Sequence, residues 1–409
     1  MPSTAQLLEI ADQHMLRTYR QPPMVLARGQ GCRVWDTEGK SYLDLYGGIA
    51  VSSLGHNHPK LVAAIASQAA RLMHTANYFY NDTSLELAGE LARRSGMERV
   101  FFCNSGTEAI EGAIKLVRRH HFGRGDGARL EIVATHHAFH GRSMGAVSLT
   151  GQPKYWEGFG APIPGISHVA YGDLAAMAKR IHDRTAAVFI EPVQGEGGVL
   201  PAPPGYLAGL RALCDERGAL FVLDEIQTGI GRTGKMFAFE HDGVRPDVMA
   251  IAKGIAGGFP MGALLAREML ADSLPPGTHG STFGGNPLGA AAALAVLRVF
   301  DDERLLENVV ARGEHLLAGL RALVTKHPGA ATDARGRGLL CGIVTHESVD
   351  VRGVLGALRE RGVLASQAGD RVVRFVPPLI VTDAEIDEGL GVLDKVLADA
   401  PRVAATRKP

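Results

Sequence analysis

Short apolar runs alternate with stretches of helical spacing along the chain. The runs RVFFCN, AAVFIEPV, ALFVLDEI and DVMAIAKG contain β-branched or aromatic residues, and glycine or polar residues follow each of them. This pattern is typical of strands that are buried on both faces of a parallel sheet. The stretches EAIEGAIKLVRRHHF and YLAGLRALCDERG have helical spacing. Together they predict an α/β layer structure.

The same pattern predicts three parts in the chain. Residues 1–60 contain a short helix and a hairpin around the turn Asp36-Thr37-Glu38-Gly39, and we expect them to pack with the C-terminal part. Residues 61–295 form a large domain whose sheet is flanked by helices. Residues 296–409 form a smaller α/β domain that ends in a helix with a capping box of Thr382 and Glu385. A second capping box is predicted at Thr83 and Glu86.

Composition and charge narrow the range of partners. Of the 409 residues, 46% are hydrophobic and 21% are charged, as in soluble globular proteins. Basic and acidic residues number 43 each, so no net charge attracts nucleic acid or a membrane surface. No window reaches roughly 18 uninterrupted apolar residues, and the first residues lack the pattern of a signal peptide. We therefore expect a cytoplasmic protein that acts on small molecules.

The four cysteines are Cys32, Cys103, Cys214 and Cys341. They are far apart in the sequence and form neither a C-x-x-C pair nor a dense disulfide framework. This spacing favours a reducing compartment.

Polar residues end the four apolar runs. Because ligands bind beyond the carboxyl ends of parallel strands, we expect Ser105, Glu191, Asp224 and Lys253 to converge on one crevice. The segment from Asn104 to Glu108 precedes a strong helix, where a phosphate would be favoured. An ordinary N-cap explains the segment equally well.

Lys253 and Asp224 are candidates for chemistry. Lys253 is the only charged residue in VMAIAKGIAGGFPMGALLA, and burial would lower its pKa and make it a nucleophile. Alternatively, Lys253 lies at a strand end and extends its amine to solvent, without a chemical role. A carboxylate at Asp224 requires a cation or several donors, and a protonated pyridine nitrogen, a metal or an arginine would each serve.

Two other kinds of site are open at this point. The histidines of THHAFHGR (His136, His137 and His140) and of GHNHP suggest a metal site, but their spacing fits no zinc pattern on a helix. The segment Gly229–Gly234 matches G-x-G-x-x-G and suggests a nicotinamide-dependent dehydrogenase. The residues that follow are too few and too polar for the required helix.

Seven blocks in the chain, taken together, resemble the class III aminotransferases, and within them the acetylornithine and ornithine aminotransferases. The blocks are FFCNSGTEAIEGAIKLVR, FHGRSMGAVSLTGQPKY, EPVQGEGGV, FVLDEIQTGIGRTG, IAKGIAGGFPMGA, HGSTFGGNPL and VRFVPPL. The resemblance runs from about Tyr19 to Leu379. It implies fold type I, with a mostly parallel seven-stranded sheet in the large domain, and pyridoxal phosphate as the cofactor.

The resemblance also implies roles for individual residues around that cofactor. Lys253 would form a Schiff base with pyridoxal phosphate, and Asp224 would keep the pyridine nitrogen protonated. Gln227 would bond the phenolic oxygen of the ring. The remaining implied contacts are Ser105, Gly106 and Thr107 at the phosphate, Phe139 and Ile226 on the two ring faces, and Thr282 donated to the phosphate by the second subunit of a homodimer.

The implied substrate contacts are mostly charged. Arg142 would hold the α-carboxylate of the amine substrate, with Ser281 and Tyr19 nearby. Arg374 would hold the α-carboxylate of glutamate or 2-oxoglutarate. Glu196 would pair with Arg374 while the amine substrate is bound and release it for the dicarboxylate.

The substrate implied by the resemblance is N-acetylornithine. Gly47 and Gly48 leave small side chains at the pocket mouth, which we interpret as space for an acylated α-amine. Free ornithine, succinylornithine and succinyldiaminopimelate stay open as alternatives, and the sequence does not distinguish a dimer from a tetramer.

Overall fold

The computed structural model of the protein describes residues 2–403. The hairpin predicted around Asp36 is present, with its two strands antiparallel. The N-terminal elements are α1 (Thr4–His14), β1 (Leu26–Gln30), β2 (Arg33–Asp36), β3 (Ser41–Asp44), α2 (Gly47–Ala50) and α3 (Pro59–Arg71).

The central part of the chain forms the seven-stranded sheet implied by the resemblance. The elements are α4 (Asp82–Ser95), β4 (Arg99–Cys103), α5 (Gly106–Gly123), β5 (Glu131–Thr135), α6 (Met144–Leu149), β6 (Ile166–Val169), α7 (Leu174–Arg180), β7 (Thr185–Ile190), β8 (Val193–Gln194), β9 (Leu200–Pro201), α8 (Tyr206–Arg217), β10 (Leu220–Asp224), β11 (Val248–Ile251) and β12 (Gly262–Ala266). The strand order of the sheet is β4-β12-β11-β10-β7-β5-β6, and within it only β12 runs antiparallel to its neighbours.

Two local predictions in this part are wrong. The first is that the run RVFFCN is buried on both faces of the sheet. Its strand, β4, lies at the sheet edge and is partly exposed, whereas every residue of β7, β10 and β11 is buried. The second is the capping box at Thr83 and Glu86. Helix α4 is capped by Asn81, whose side chain accepts a hydrogen bond from the Ser84 amide at 2.8 Å. Thr83 instead lies within the helix, because Asn81 supplies a cap two residues earlier.

The C-terminal part forms a four-stranded antiparallel sheet in the order β13-β14-β17-β16. The capping box at Thr382 and Glu385 is confirmed. The elements are α9 (Pro287–Asp302), α10 (Leu305–Lys326), β13 (Ala331–Arg337), β14 (Leu340–Thr345), α11 (Val351–Glu360), β15 (Val363–Leu364), β16 (Ser366–Ala368), β17 (Val372–Phe375) and α12 (Asp383–Ala398).

Strand β15 leaves the C-terminal part and pairs in parallel with β3, which joins the two ends of the chain in one sheet. Helix α9 packs on α3 and α4 and continues across residue 295. The division at residues 60 and 295 stays a prediction. Among residues 2–403, the helices are too short or too polar to cross a lipid bilayer.

Candidate active site

A cavity of about 420 Å³ lies at the carboxyl ends of β4, β7, β10 and β11. The four residues expected to converge there, Ser105, Glu191, Asp224 and Lys253, all line it. Parallel strands end at the same edge of a sheet, so residues distant in sequence meet at this edge.

Most of the other candidate residues line the same cavity. They are Gly106, Thr107, Phe139, Arg142, Glu196, Ile226 and Gln227. Arg374 lies behind the cavity wall, where it contacts Glu196.

Ser281, Thr282 and Tyr19 do not line the cavity. Ser281 Oγ accepts a hydrogen bond from Asn104 Nδ2 at 3.2 Å, and Asn104 does line it. Thr282 and Tyr19 are exposed. A single chain therefore does not bring these two side chains to the cavity.

Asp224 is held by a histidine whose role the sequence left open. Its Oδ2 lies 2.7 Å from Nδ1 of His140, and its Oδ1 accepts a hydrogen bond from the Ile226 amide at 3.0 Å. Burial alone would lower the pKa of His140, but the hydrogen bond and charge of Asp224 raise it above its ordinary value. Asp224 therefore has a hydrogen-bond partner in the interior and still lines the cavity.

Lys253 lies two residues after the end of the short strand β11. Its backbone adopts a positive φ of 48°, which is uncommon for a residue with a side chain. Burial lowers the pKa of Lys253, although Glu196 and Asp224 partly oppose this effect. The amine is thus a better nucleophile and base at neutral pH than an exposed lysine would be.

The amino end of α5 forms another part of the wall. Ser105 caps the helix, and its Oγ accepts a hydrogen bond from the Glu108 amide at 3.3 Å. Gly106 approaches Ile226 so closely that a Cβ atom would lie 2.8 Å from Ile226 Cδ1. Thr107 Oγ1 lies 2.6 Å from Ser143 Oγ, a contact that sequence reasoning missed. Free amides and the helix dipole favour an anion here.

These groups fit pyridoxal phosphate. The amino end of α5 suits the phosphate, Asp224 suits a protonated ring nitrogen, and Lys253 suits the reactive carbonyl carbon. The glycine at position 106 leaves room where a side chain would collide with Ile226.

Arg374 and Glu196 form an ion pair in which the arginine is buried and the glutamate is half-buried. Only 1% of the Arg374 side chain is exposed. Its Nη1 donates to Glu196 Oε1, and also to Gly195 O at 3.2 Å and Gln227 Oε1 at 3.3 Å. Burial alone would raise the pKa of Glu196, but the charge of Arg374 lowers it below its ordinary value. The carboxylate is therefore ionised at neutral pH.

Arg142 is a second arginine at the cavity, and it is exposed. Its guanidinium carbon lies 4.1 Å from the ring centroid of Tyr155 and 5.4 Å from that of Phe139. The two rings pack edge to face with centroids 5.8 Å apart. Aromatic faces hold a cation without neutralising it, so Arg142 keeps its charge for a ligand. Sequence reasoning missed Tyr155, whose only signal is its place in the block FHGRSMGAVSLTGQPKY.

The chain is similar to known proteins of one family. Residues 15–397 match the family "Aminotransferase class-III". An acetylornithine aminotransferase of Myxococcus xanthus is 50% identical over 387 residues, which cover 94% of this chain and 96% of the relative. A Pseudomonas aeruginosa protein, "Succinylornithine transaminase/acetylornithine aminotransferase", is 45% identical over 393 residues, or 96% and 97% of the two chains.

A solved structure has the same fold. The ornithine aminotransferase of Toxoplasma gondii is 34% identical and superimposes with a TM-score of 0.93, over 97% of this chain and 95% of that one. Its active site holds pyridoxal phosphate at partial occupancy.

The chain belongs to the class III aminotransferases. It is a pyridoxal-phosphate-dependent transaminase of fold type I, as the resemblance implied. The dehydrogenase hypothesis for Gly229–Gly234 is wrong: a short 3-10 turn at Ala238–His241 follows the segment, in place of the helix that a dinucleotide site requires.

Proposed function

We propose that this enzyme transfers the δ-amino group of N2-acetyl-L-ornithine to 2-oxoglutarate, giving N-acetyl-L-glutamate 5-semialdehyde and L-glutamate. The observation that carries the proposal is the ion pair between the buried Arg374 and Glu196, beside a cavity that is also lined by the exposed Arg142. The reaction serves arginine biosynthesis, and the names of the Myxococcus and Pseudomonas relatives support it.

Two carboxylate sites match two alternating substrates. N-acetylornithine carries one carboxylate, far from its reacting amine, and Arg142 binds it at the cavity mouth. 2-Oxoglutarate carries two, and the carboxylate next to its carbonyl requires Arg374. Glu196 neutralises Arg374 during the first half-reaction and must move away during the second.

The cofactor and the protein divide the chemistry. When bound, pyridoxal phosphate supplies a ring that accepts electrons from the substrate carbon. Nζ of Lys253 takes a proton from the δ-carbon of N-acetylornithine and, in the second half-reaction, returns one to the α-carbon of the glutamate product. Asp224 would keep a positive charge at the ring nitrogen. Phe139 and Ile226 would hold the ring from its two faces, and Gln227 would bond the phenolic oxygen.

We further propose a homodimer with its sites at the interface. Thr282 would complete the phosphate site of the second copy, and the neighbouring Ser281 would lie near the substrate carboxylate. Phe283, next to Thr282, is an exposed aromatic residue, and so are Tyr78, Phe79 and Tyr80 in the segment before α4. These side chains would be buried on dimerisation. Tyr19 is equally exposed and would reach a substrate there.

The cytoplasm is the proposed location, because all four cysteines are unpaired. Small molecules are the proposed partners, and the balanced charge favours neither nucleic acid nor membranes.

The test is an absorbance spectrum of the holoenzyme during both half-reactions. N-acetylornithine should bleach the visible band of the bound cofactor, and 2-oxoglutarate should restore it. Succinylornithine is the second candidate, favoured by the double name of the Pseudomonas relative. Rates with N-acetylornithine, succinylornithine, succinyldiaminopimelate and free ornithine rank the acyl preference. Equal or better efficiency with free ornithine would overturn the proposal.

A further inference from the structure

The glycine-rich segment Gly229–Gly234 contains a buried arginine. Arg232 is 2% exposed, and no carboxylate within residues 2–403 forms an ion pair with it. Burial lowers the pKa of Arg232 to about 9. Burying a guanidinium without a counter-charge is costly, so the contacts it makes must compensate.

Those contacts are backbone carbonyls of the C-terminal sheet. Nη1 of Arg232 donates to Leu339 O at 3.0 Å and to Pro377 O at 2.6 Å. The Leu339 amide donates in return to Arg232 O at 3.0 Å. Arg232 thus binds the sheet through both its side chain and its backbone.

The two carbonyls flank the strand pair that carries Arg374. Leu339 immediately precedes β14, and Pro377 lies two residues after the end of β17. Within the pair, Gly342 of β14 is opposite Arg374 of β17. Arg232 therefore fixes the backbone beside one end of each strand, and Arg374 lies on the second of them, β17.

The segment that contains Arg232 is also linked to Asp224, because it belongs to the stretch of chain that follows this residue. Glu225 is fully buried and organises this chain: its carboxylate accepts hydrogen bonds from Thr228 Oγ1 at 2.5 Å and from the amides of Ala238 and Phe239 at 3.0 and 2.9 Å. The segment that contains Arg232 is held between these points.

The glycines explain how the segment reaches the sheet. Gly231 has a φ of 78°, and a Cβ there would lie 2.2 Å from Phe300 Cε1. A Cβ at Gly338 would lie 2.6 Å from the backbone carbon of Thr233. Gly231 of the G-x-G-x-x-G segment thus makes room for the Phe300 side chain, and Gly338 lets the C-terminal part approach the backbone of the segment, where the sequence had suggested a phosphate contact.

We propose that Arg232 is a positioning residue that holds Arg374 at a fixed place relative to Asp224 and Lys253, and thereby sets the preference for a dicarboxylate substrate. The inference rests on the proposed function, in which Arg374 binds 2-oxoglutarate. It assigns to the glycine-rich segment a role in substrate selection.

The experiment compares the variants Arg232→Met and Arg232→Lys with wild-type holoenzyme in the two half-reactions. For Arg232→Met we expect kcat/KM for 2-oxoglutarate to fall about tenfold or more through KM, because hydrogen bonds from a charged group are lost. The value for N-acetylornithine should change less than about threefold. Binding of glutarate, an unreactive dicarboxylate, should weaken by the same factor as 2-oxoglutarate. Arg232→Lys keeps a cationic donor and should lie between wild type and Arg232→Met.

Arg129→Met is the matched control, because Arg129 also donates to two backbone carbonyls, those of Thr185 and Arg217, but at the opposite end of the sheet. Arg129→Met should leave the ratio of kcat/KM for 2-oxoglutarate to kcat/KM for N-acetylornithine unchanged. If Arg232→Met lowers kcat/KM equally in both half-reactions, or in neither, the inference is overturned. If Arg232→Met does not fold, an unchanged ratio in Arg232→Lys would overturn it equally. If the wild-type enzyme shows no half-reaction with 2-oxoglutarate, the proposed function itself is refuted.

Discussion

Oδ2 of Asp224 and Nδ1 of His140 lie 2.7 Å apart in the protein interior, with His140 only 1% exposed. Nε2 of the same ring has no hydrogen-bond partner among residues 2–403. The histidine therefore acts on Asp224 through one nitrogen only. This arrangement fixes the position of a buried carboxyl group opposite the place where a pyridine nitrogen fits.

Replacing His140 tests this relationship. We expect His140→Phe to lower kcat by roughly tenfold to a hundredfold, because a hydrogen bond to a charged group contributes about 1.5–3 kcal/mol. His140→Asn places an amide donor near the position of Nδ1 and should recover most of the loss. Steady-state kinetics on protein with confirmed cofactor content provide the measurement. Equal activity of the two variants would contradict the positioning role.

Lys253→Ala should abolish turnover, since the amine that moves the proton is removed. The variant should still bind the cofactor, because Asp224 and the amino end of α5 are unchanged. Lys179→Ala, at an exposed lysine of α7, serves as the control and should behave as wild type. Turnover within about tenfold of wild type, which is less than about 1.4 kcal/mol of the barrier, would refute the assignment.

Glu196→Gln should shift the balance between the two half-reactions. Without the carboxylate, Arg374 is left as an unpaired buried charge that attracts any substrate carboxylate. We expect the ratio of kcat/KM for glutamate to that for N-acetylornithine to rise about tenfold, or about 1.4 kcal/mol. Glu314→Gln, at an exposed position of α10, should leave the ratio as it is. An unaltered ratio in Glu196→Gln would argue against a switch.

Tyr155→Leu should weaken binding of N-acetylornithine by loosening Arg142. A cation over an aromatic ring contributes about 0.5–1 kcal/mol at an exposed site, so KM should rise roughly twofold to fivefold with kcat nearly constant. Tyr155→Phe keeps the ring and should keep the wild-type KM. A rise of the same size in both variants would point to the hydroxyl group instead.

His120 should make the protein less stable in acid. Burial lowers the pKa of His120 to about 4, and its Nδ1 lies 3.0 Å from Ser273 Oγ. In the unfolded chain this pKa returns to about 6.5. The folded-state pKa is the lower one, so the contribution to stability is present above about pH 6.5 and is lost as pH falls towards 4.

Urea unfolding across this pH range measures the effect. In wild type, the free energy of unfolding should fall as the pH is lowered from about 6.5 to 4. In His120→Gln this fall should be smaller by on the order of 2 kcal/mol, a value that allows for partial exposure to solvent. A decrease as steep as that of wild type would exclude His120 as its source.

Local patterns determined much of this protein. The apolar runs identified β7, β10 and β11, and their last residues identified Lys253 and Asp224, because burial and chain direction follow from short stretches of sequence. The capping box at Thr382 was predictable for the same reason. The family resemblance added the cofactor, the strand number and the paired arginines, none of which periodicity could provide.

Tertiary structure decided the contacts between residues far apart in the chain. His140 meets Asp224, and Arg232 meets Pro377, only because the sheets bring them together. The edge position of β4 depends on strand order, which no single strand encodes. The sequence thus determined which groups exist and which elements carry them. Their partners depend on packing, because contact energies are set by the folded neighbours and not by adjacent residues.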